Sequence, residues 1–386
     1  MRTRTRVLHV IQNLHYGGME RLVVGIARDA NPERFDSHVL ALQYLGRYAA
    51  ELAGSATVHL STPLPRWSMI WPAPLSRQIA RIAPDVVHTH SGVWYKASLA
   101  ARHAGVRWVV HTEHGRRKPD PWQDRFVDGL AARRTDVVVA VSDVLATQLA
   151  ATVVPDRCRC HIEVVHNGMD SRVFRPRPDT HVLRRELGLS ADVPIIGSLG
   201  RLEHIKGYDV MIEAFAALRA RDGAGPQPVL VLGGDGSERP RLEAIARTLG
   251  VAESVHFLGW RDDIHDLHSA FTIFTMSSRS EGTSVSLLEA MSAGLCPVVT
   301  DVGGNAAVLG DVLRHRLVPT ERPDALATAW LDALTACERR QADGAAGRER
   351  VSRKFPLDTM VREYERLYER AHRRTPYRAG STVEPG

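Results

Sequence analysis

Two kinds of segment alternate along almost the whole of this 386-residue chain. Short apolar runs rich in valine, isoleucine and leucine are followed by longer stretches in which apolar residues recur with helical spacing. We predict strands at 6–12, 36–42, 56–60, 85–89, 107–112, 136–141, 161–165, 194–199, 228–233, 254–258, 271–275, 296–300 and 315–318. Such alternation predicts parallel sheets with helices on both faces, which is a doubly wound α/β architecture.

The helical patterns and the proline content suggest a division into two domains. Helices are predicted at 18–30, 93–104, 142–152, 206–221, 237–249, 284–293, 323–337 and 356–374. The segment 167–178 contains Pro176 and Pro178 and is typical of a linker. We therefore predict a first domain over 1–170 and a second over 171–355, followed by a long helix over 356–374. The tail 375–386 is predicted to be disordered.

The segment 280–294 carries the strongest functional signal. Glu281 and Glu289 lie eight residues apart around the start of an apolar helical pattern that ends at Gly294. At a rise of ~1.5 Å per residue, their backbone positions would be separated by roughly 12 Å. The carboxyl pair of a glycosidase is only about 5–10 Å apart. Two carboxylates that flank a helix N-terminus therefore favour a clamp for a sugar nucleotide; the alternative is a capped helix with two solvated acids.

Residues 281–304 resemble the Glu-x7-Glu signature of the retaining glycosyltransferases of family 4. Other motifs similar to that family occur in order over about residues 6–310, namely Gly17–Arg21, Pro84–His88, His111–Gly115, Asn167–Asp170, Phe174–Pro176, Gly200–Arg201, Lys206–Gly207, Gly233–Glu238 and Phe257–Gly259. The resemblance implies the GT-B fold, in which two Rossmann-like domains face each other across a cleft. It also implies that the last helix packs back on the first, acceptor-side domain.

The resemblance further implies four catalytic residues, and their roles follow from it. Arg201 and Lys206 would hold the donor diphosphate, and Glu281 would contact the transferred sugar. His114 would lie beside the C6 hydroxyl of the sugar and the reacting carbon. His111, in the same segment, is the competing candidate for this role.

The donor-binding residues implied by the resemblance lie in two loops and one helix. Gly17 and Gly18 would let the first loop approach the donor closely. Backbone N–H groups of Gly282, Thr283 and Ser284 would meet sugar hydroxyls or phosphate, and Glu289 would accept from the ribose hydroxyls. Many relatives carry an aromatic residue and a proline where this chain has Thr283 and Ser284, which leaves the identity of the donor sugar open.

Neither a metal nor a cofactor is expected. The sequence contains no Asp-x-Asp motif to hold a metal at the diphosphate, so cationic side chains would neutralise the leaving group. The four cysteines form no metal-binding pattern and are expected to be reduced thiols. The His-x2-His spacings of His111 with His114 and of His265 with His268 lack a third ligand nearby. Glu20 and Arg21 are interpreted as the first turn of a helix rather than as catalytic residues.

Basic residues are concentrated in the first part of the chain. Residues 1–175 contain 23 Lys and Arg against 15 Asp and Glu, although the net charge of the whole chain is only +6. Together with Trp67, Trp71 and Trp122 beside arginines, this predicts contact with an anionic membrane surface or a lipid diphosphate. The alternatives are an arginine-rich composition and ordinary loop and core aromatics. No apolar run approaches the roughly 20 residues of a membrane span.

These features define a leading function and its competitors. The resemblance implies a metal-independent retaining enzyme that transfers a hexose from a UDP- or GDP-sugar to a glycan, a lipid-linked or a small-molecule acceptor, in cell-surface polysaccharide or glycoconjugate biosynthesis. A cytoplasmic location is expected, with peripheral attachment to the inner face of the membrane. A nucleotide-sugar epimerase of the same fold and a silent nucleotide-binding partner are the alternatives. No motif for nucleic-acid binding is present.

Overall fold

The computed structural model describes residues 4–15, 17–64, 71–116, 120–154, 158, 160–221 and 226–372. Within these ranges, the chain forms two parallel sheets whose strands alternate with helices. Each predicted strand and each predicted helix corresponds to an element of the structure, with ends displaced by a few residues. The predicted GT-B architecture is confirmed. The predicted tail 375–386 lies outside the described residues.

The first sheet contains seven strands and is built from the first half of the chain. Its strands are β1 (Thr5–Asn13), β2 (Phe35–Tyr44), β3 (Thr57–Leu60), β4 (Val86–His90), β5 (Trp108–Glu113), β6 (Val137–Ala140) and β7 (His161–Val164). The helices between them are α1 (Gly18–Asp29), α2 (Ala73–Ile82), α3 (Trp94–His103), α4 (Trp122–Ala132) and α5 (Asp143–Thr152). The strand order is β3-β2-β1-β4-β5-β6-β7.

The second sheet contains six strands in the order β10-β9-β8-β11-β12-β13. Its strands are β8 (Ile195–Leu199), β9 (Val229–Gly233), β10 (Val255–Gly259), β11 (Ile273–Met276), β12 (Pro297–Thr300) and β13 (Leu317–Val318). The helices of this half are α6 (Val182–Glu186), α7 (Tyr208–Arg219), α8 (Arg239–Thr248), α9 (Ile264–Ala270), α10 (Val285–Ser292), α11 (Asn305–Leu309), α12 (Pro323–Thr335) and α13 (Cys337–Lys354).

Both sheets reverse their strand order at one point, and these points determine where a ligand can bind. The reversal falls between β1 and β4 in the first sheet and between β8 and β11 in the second. In doubly wound sheets, ligands bind outside the carboxyl ends of the strands at such a reversal. The loops that leave these four strands are therefore the candidate ligand-binding loops.

The final helix, α14 (Leu357–Glu369), returns to the first sheet. It contacts α1 and β1, and its residues Tyr364 and Tyr368 are buried. A backbone bridge between Met169 and Pro356 holds the chain at the point where it returns to the first sheet. Residues 373 and 374 of the predicted helix are outside the described part of the chain.

Helix α13 was not predicted from the sequence, and its packing explains why. The predicted helix 323–337 ends at Thr335, and an 18-residue helix then begins at Cys337. Its buried face includes Gly344 and Gly347 instead of an apolar stripe. A Cβ at Gly344 would lie 2.1 Å from the carbonyl oxygen of Gly294, so this helix is held by close backbone approach. Within the described residues, no helix has the length and apolarity needed to cross a bilayer.

Candidate active site

The predicted site residues converge where the two sheets face each other. Arg201 and Lys206 lie in the loop after β8, and Glu281 lies in the loop after β11, at the strand-order reversal of the second sheet. His114 follows β5 in the first sheet. A Cβ on Gly282 would come within 2.1 Å of the carbonyl oxygen of His114, so the loops of the two domains touch.

An ion pair joins two of the predicted catalytic residues. The Lys206 Nζ donates to Glu281 Oε1 at 2.6 Å, and Ser278 Oγ donates to the same oxygen at 2.7 Å. Both side chains are largely buried. The geometry places a cation beside the carboxylate predicted to contact the sugar.

The second predicted cation faces an acid of the opposite domain. Arg201 is exposed, and within the described residues its guanidinium makes no hydrogen bond or ion pair. Burial raises the pKa of Glu20, while the backbone of Glu20 and the positive charge of Arg201 act in the opposite direction. Glu20 lies in the first turn of α1, as predicted, so α1 and the loop after β8 are close in space.

Two helix N-termini meet at this place. Gly18 is the first residue of α1, and a Cβ on it would lie 3.0 Å from the Cβ of Val285, the first residue of α10. Gly17 immediately precedes α1. Converging helix N-termini present backbone N–H groups and a positive field, which favours phosphate.

The start of α10 is held in place by contacts to both domains. The Ser284 hydroxyl accepts from the backbone N–H of Leu287 at 3.3 Å and caps the helix. The Thr283 hydroxyl donates to the carbonyl of Val141 at 2.7 Å, and Asn167 Nδ2 donates to the carbonyl of Thr283 at 2.8 Å. The side chain and the carbonyl of Thr283 therefore link the two domains, which leaves the backbone N–H for a ligand.

Glu289 makes a contact that the sequence did not reveal. Its Oε1 lies 3.1 Å from Arg21 Nε in the opposite domain. Arg21 also donates to Tyr48 Oη at 2.9 Å and lies over the ring of Phe174. Burial raises the pKa of Glu289, and Arg21 partly offsets this effect. Since Oε1 is engaged, a ribose would have to use Oε2 or displace Arg21.

A buried carboxylate shapes the loop that carries His114. Glu113 Oε1 accepts from Ser91 Oγ at 2.5 Å, and Arg116 donates to Oε2 at 3.0 Å. The Ser91 hydroxyl in turn accepts from the backbone N–H of His114 at 2.8 Å. Burial acts to raise the pKa of Glu113, but His111, Arg116 and Ser91 outweigh it and hold the pKa at about 2. His111 acts on Glu113 through space, because its Nε2 is 4.0 Å away.

The two candidate histidines of this segment have different surroundings. His111 is fully buried, stacks on Trp94 with ring centroids 3.9 Å apart and bonds to Thr89 through Nδ1. His114 is partly exposed and bonds to His90 through Nε2 at 3.2 Å. Of the two, His114 is the one that borders the cleft between the domains.

The aromatic residues proposed for membrane contact are only partly described. Trp67 lies outside the described residues, whereas Trp71 and Trp122 are 54% and 66% exposed. Arg116, grouped with Trp122 in the sequence, is buried and paired with Glu113, Asp120 and Asp128. It is therefore not available to bind a membrane.

Comparison with known proteins identifies the two halves of the chain. Residues 16–173 match the family model described as "Glycosyltransferase Family 4", and residues 179–350 match "Glycosyl transferases group 1". The D-inositol 3-phosphate glycosyltransferase of Xylanimonas cellulosilytica is 31% identical over 76% of this chain and 74% of its own length. The GDP-mannose-dependent alpha-(1-6)-phosphatidylinositol monomannoside mannosyltransferase of Mycobacterium tuberculosis is 27% identical over 82% of this chain and 91% of its own length.

Solved structures agree on the fold. Anabaena HepE in complex with UDP-glucose superposes with a TM-score of 0.81 at 22% identity, over 95% of this chain and 100% of that one. The match of both halves, in order, and the similarity to the Xylanimonas enzyme lead to one assignment: this chain belongs to glycosyltransferase family 4 and has the GT-B fold.

Proposed function

We propose that the chain is a retaining hexosyltransferase that uses a UDP- or GDP-sugar and requires no metal ion. The observation that carries this proposal is the grouping of Arg201, Lys206 and Glu281 beside the two meeting helix N-termini. A sugar nucleotide offers a diphosphate to the cations and N–H groups and a hexose to the carboxylate. The donor-binding and catalytic roles of these residues are part of the proposal.

The residues support a reaction in which charge develops on the leaving group. The bond from the anomeric carbon to the diphosphate oxygen breaks, and a bond from that carbon to the acceptor oxygen forms on the same face. The acceptor proton passes to the departing diphosphate. Arg201, Lys206 and the N-terminus of α10 would stabilise the growing negative charge, since preorganised donors act most strongly on charge that appears in the transition state.

Two protein groups would act at the sugar itself. Glu281 is held by Lys206 and Ser278, so its free oxygen can accept from sugar hydroxyls. His114 approaches from the opposite domain and would contact the C6 hydroxyl. Because these groups come from different domains, the sugar would be positioned only when the two domains are in contact.

The named relatives suggest which acceptors to test. Their names refer to D-inositol 3-phosphate and to phosphatidylinositol monomannoside. Both offer hydroxyl groups on a compact polar framework. We therefore propose a polyhydroxylated small molecule or the polar head of a lipid as the acceptor, and a role in glycoconjugate or cell-surface polysaccharide biosynthesis.

A donor panel provides the test. Purified protein is incubated with UDP- and GDP-hexoses, with and without EDTA, and scored for thermal shift and for release of the nucleoside diphosphate. We expect one nucleotide to stabilise the fold by mass action and its sugar to be hydrolysed slowly or transferred to an added cyclitol acceptor. We expect proton NMR to show that the product has the same anomeric configuration as the donor sugar.

Three outcomes would contradict the proposal. Inversion at the anomeric carbon would overturn the retaining mechanism, and strict dependence on magnesium or manganese would overturn the metal-independent site. Epimerisation of the sugar nucleotide without transfer would favour the epimerase of the same fold. Any loss of activity in Arg201→Ala should be compared with Arg172→Ala, since Arg172 is an exposed arginine that pairs with Asp170.

A further inference from the structure

A line of three imidazoles runs from the interior of the first sheet to His114. His9 is on β1, and His90 ends β4. His9 Nδ1 lies 3.2 Å from His90 Nε2, and His90 Nδ1 lies 3.2 Å from His114 Nε2. Both His9 and His90 are buried. The three rings therefore form one continuous hydrogen-bonded chain.

Among the described residues, no further hydrogen bond fixes the proton positions of His90 and His114. Both ring nitrogens of His90 are used, one by each neighbouring histidine. His114 Nδ1 is buried and has no hydrogen-bond partner among the described residues. The only protein atom that can select the tautomer of His114 is therefore His90 Nδ1, within the part of the chain that the structure describes.

Burial keeps all three rings neutral at physiological pH. It lowers the pKa of His9 to about 3 and that of His114 to about 4, and it holds the pKa of His90 well below its usual value. A neutral imidazole has one N–H and one bare nitrogen. Each of the two bonds needs one proton, so the direction of one bond dictates the direction of the other. All three rings must then carry the proton on Nε2, or all three on Nδ1.

We propose that His9 and His90 are positioning residues that couple the tautomer of the neutral His114 ring to their own. The tautomer decides whether His114 Nδ1, which has no hydrogen-bond partner among the described residues, carries a proton or a bare lone pair. This inference rests on the proposed function only in giving His114 a place beside the sugar; the linked tautomers are a property of the protein without substrate. Neither His9 nor His90 is a catalytic residue in this scheme.

A metal site is the competing explanation for the histidine cluster. Ring nitrogens of His9, His88 and His90 lie within 4.8 Å of one another. His88, however, already bonds to Tyr368 Oη through Nδ1 and to Thr112 Oγ1 through Nε2, both at 2.7 Å. An ion bound there would break one of these bonds. It would also bring a buried charge that the three neutral rings do not offset. The hydrogen-bonded chain uses His9 and His90 without disturbing His88.

Nitrogen NMR of the histidine rings tests the proposal on the full-length protein without a substrate. In protein labelled with 15N only at histidine, the two ring nitrogens of each neutral tautomer have distinct shifts. We expect His9, His90 and His114 to show the same tautomer populations, because their ring protons are linked. We expect His90→Phe and also His9→Phe to change the tautomer populations of His114. The effect of His9→Phe is the sharper result, because hydrogen bonds among the described residues link His9 to His114 only through His90.

A matched control exists in the same sheet. His38 Nδ1 and His59 Nε2 lie 2.9 Å apart, on β2 and β3, away from the chain that ends at His114. His59→Phe should leave the His114 signals unchanged. In an active preparation, the His9 and His90 variants should lower kcat by about tenfold or more with little change in KM for the donor, as when a partner that orients a reactive group is removed.

Several results would overturn the proposal. These are opposite tautomers of His90 and His114 in the wild type, an unchanged His114 in His9→Phe, or stoichiometric zinc that shifts the His9, His88 and His90 signals. If the phenylalanine variants do not fold, the wild-type comparison of the three tautomers still decides. A protein that shows the linked tautomers but transfers no sugar would refute the proposed function and leave this inference standing.

Discussion

At the residue scale, the cations of the cleft belong to two different environments. Lys206 is paired with Glu281, whereas Arg201 is exposed and faces Glu20 only through its charge. A diphosphate would bind both, but it would have to compete with a carboxylate only at Lys206. This difference leads to a prediction about the two alanine variants.

We expect Lys206→Ala and Arg201→Ala to fold and to lose about 2–4 kcal/mol of transition-state stabilisation, since each removes a preorganised donor from the leaving group. That loss corresponds to a fall of roughly 30- to 1000-fold in kcat/KM, measured by release of nucleoside diphosphate. Lys354→Ala, at the exposed end of α13, is the control for Lys206 and should keep full activity. Wild-type rates in both single variants would remove these residues from the site.

Glu113 predicts how the stability of the protein changes in acid. Its pKa of about 2 in the folded protein is below the ordinary value of 4.5. The ionised carboxylate therefore stabilises the fold above about pH 4.5, and this contribution, about 3 kcal/mol at most, is lost as the pH falls toward 2. Urea unfolding from pH 6 to pH 3 should show a flatter decline in Glu113→Gln than in the wild type. Glu349→Gln, which changes an exposed side chain of α13, should follow the wild-type curve. Parallel curves for all three proteins would contradict the assignment.

At the scale of elements, the site depends on how closely the loop before α10 approaches the first domain. Gly282 passes against the carbonyl of His114, and Gly304 donates its backbone N–H to the carbonyl of Gly282 at 2.7 Å. A glycine is required at 282 because of this close approach of two backbones.

Gly282→Ala tests this contact directly. The added Cβ would lie 2.1 Å from the His114 oxygen, so the loops must separate, and we expect at least a tenfold loss of activity together with a lower Tm. Gly129→Ala, in α4, is the control, because its Cβ would meet the nearest atom at an ordinary 3.5 Å. Equal activity of the two variants would show that the cleft does not need this contact.

Some of these elements could be predicted from the sequence, and others could not. Strands such as β6 and β9 are uniformly apolar because parallel strands are covered on both faces, and this signal is local. The buried face of α13 uses glycines, so its sequence gives no apolar period. The Arg21–Glu289 pair joins residues far apart in the sequence, and only the packing of α1 against α10 brings them together. The charged residues Glu20 and Arg21, shortly after Gly17 and Gly18, are the one sequence signal for this contact. By themselves they indicate only the start of a helix.

At the scale of the whole molecule, the charge and the exposed aromatic residues of the first half remain without a role in sugar transfer. Trp122 and Phe126 are one helical turn apart at the start of α4 and are 66% and 64% exposed. Residues 1–175 carry eight more basic than acidic residues, 23 against 15. Aromatic side chains beside basic ones are typical of surfaces that rest on an anionic bilayer.

We therefore expect the protein to bind vesicles that contain anionic lipid at low salt and to be released as salt rises, because each basic residue near the surface contributes about 1 kcal/mol that salt screens. The double variant with Trp122→Ala and Phe126→Ala should float less with these vesicles. The variant Val312→Ala, which changes an exposed apolar residue of the second half, should float like the wild type. Neutral vesicles should fail to bind the wild type. If the protein stays unbound beside anionic vesicles at low salt, the surface has no membrane role and a water-soluble acceptor is favoured. The roles proposed for Arg201, Lys206 and Glu281 would be unaffected by that result, because these three residues belong to the second half of the chain.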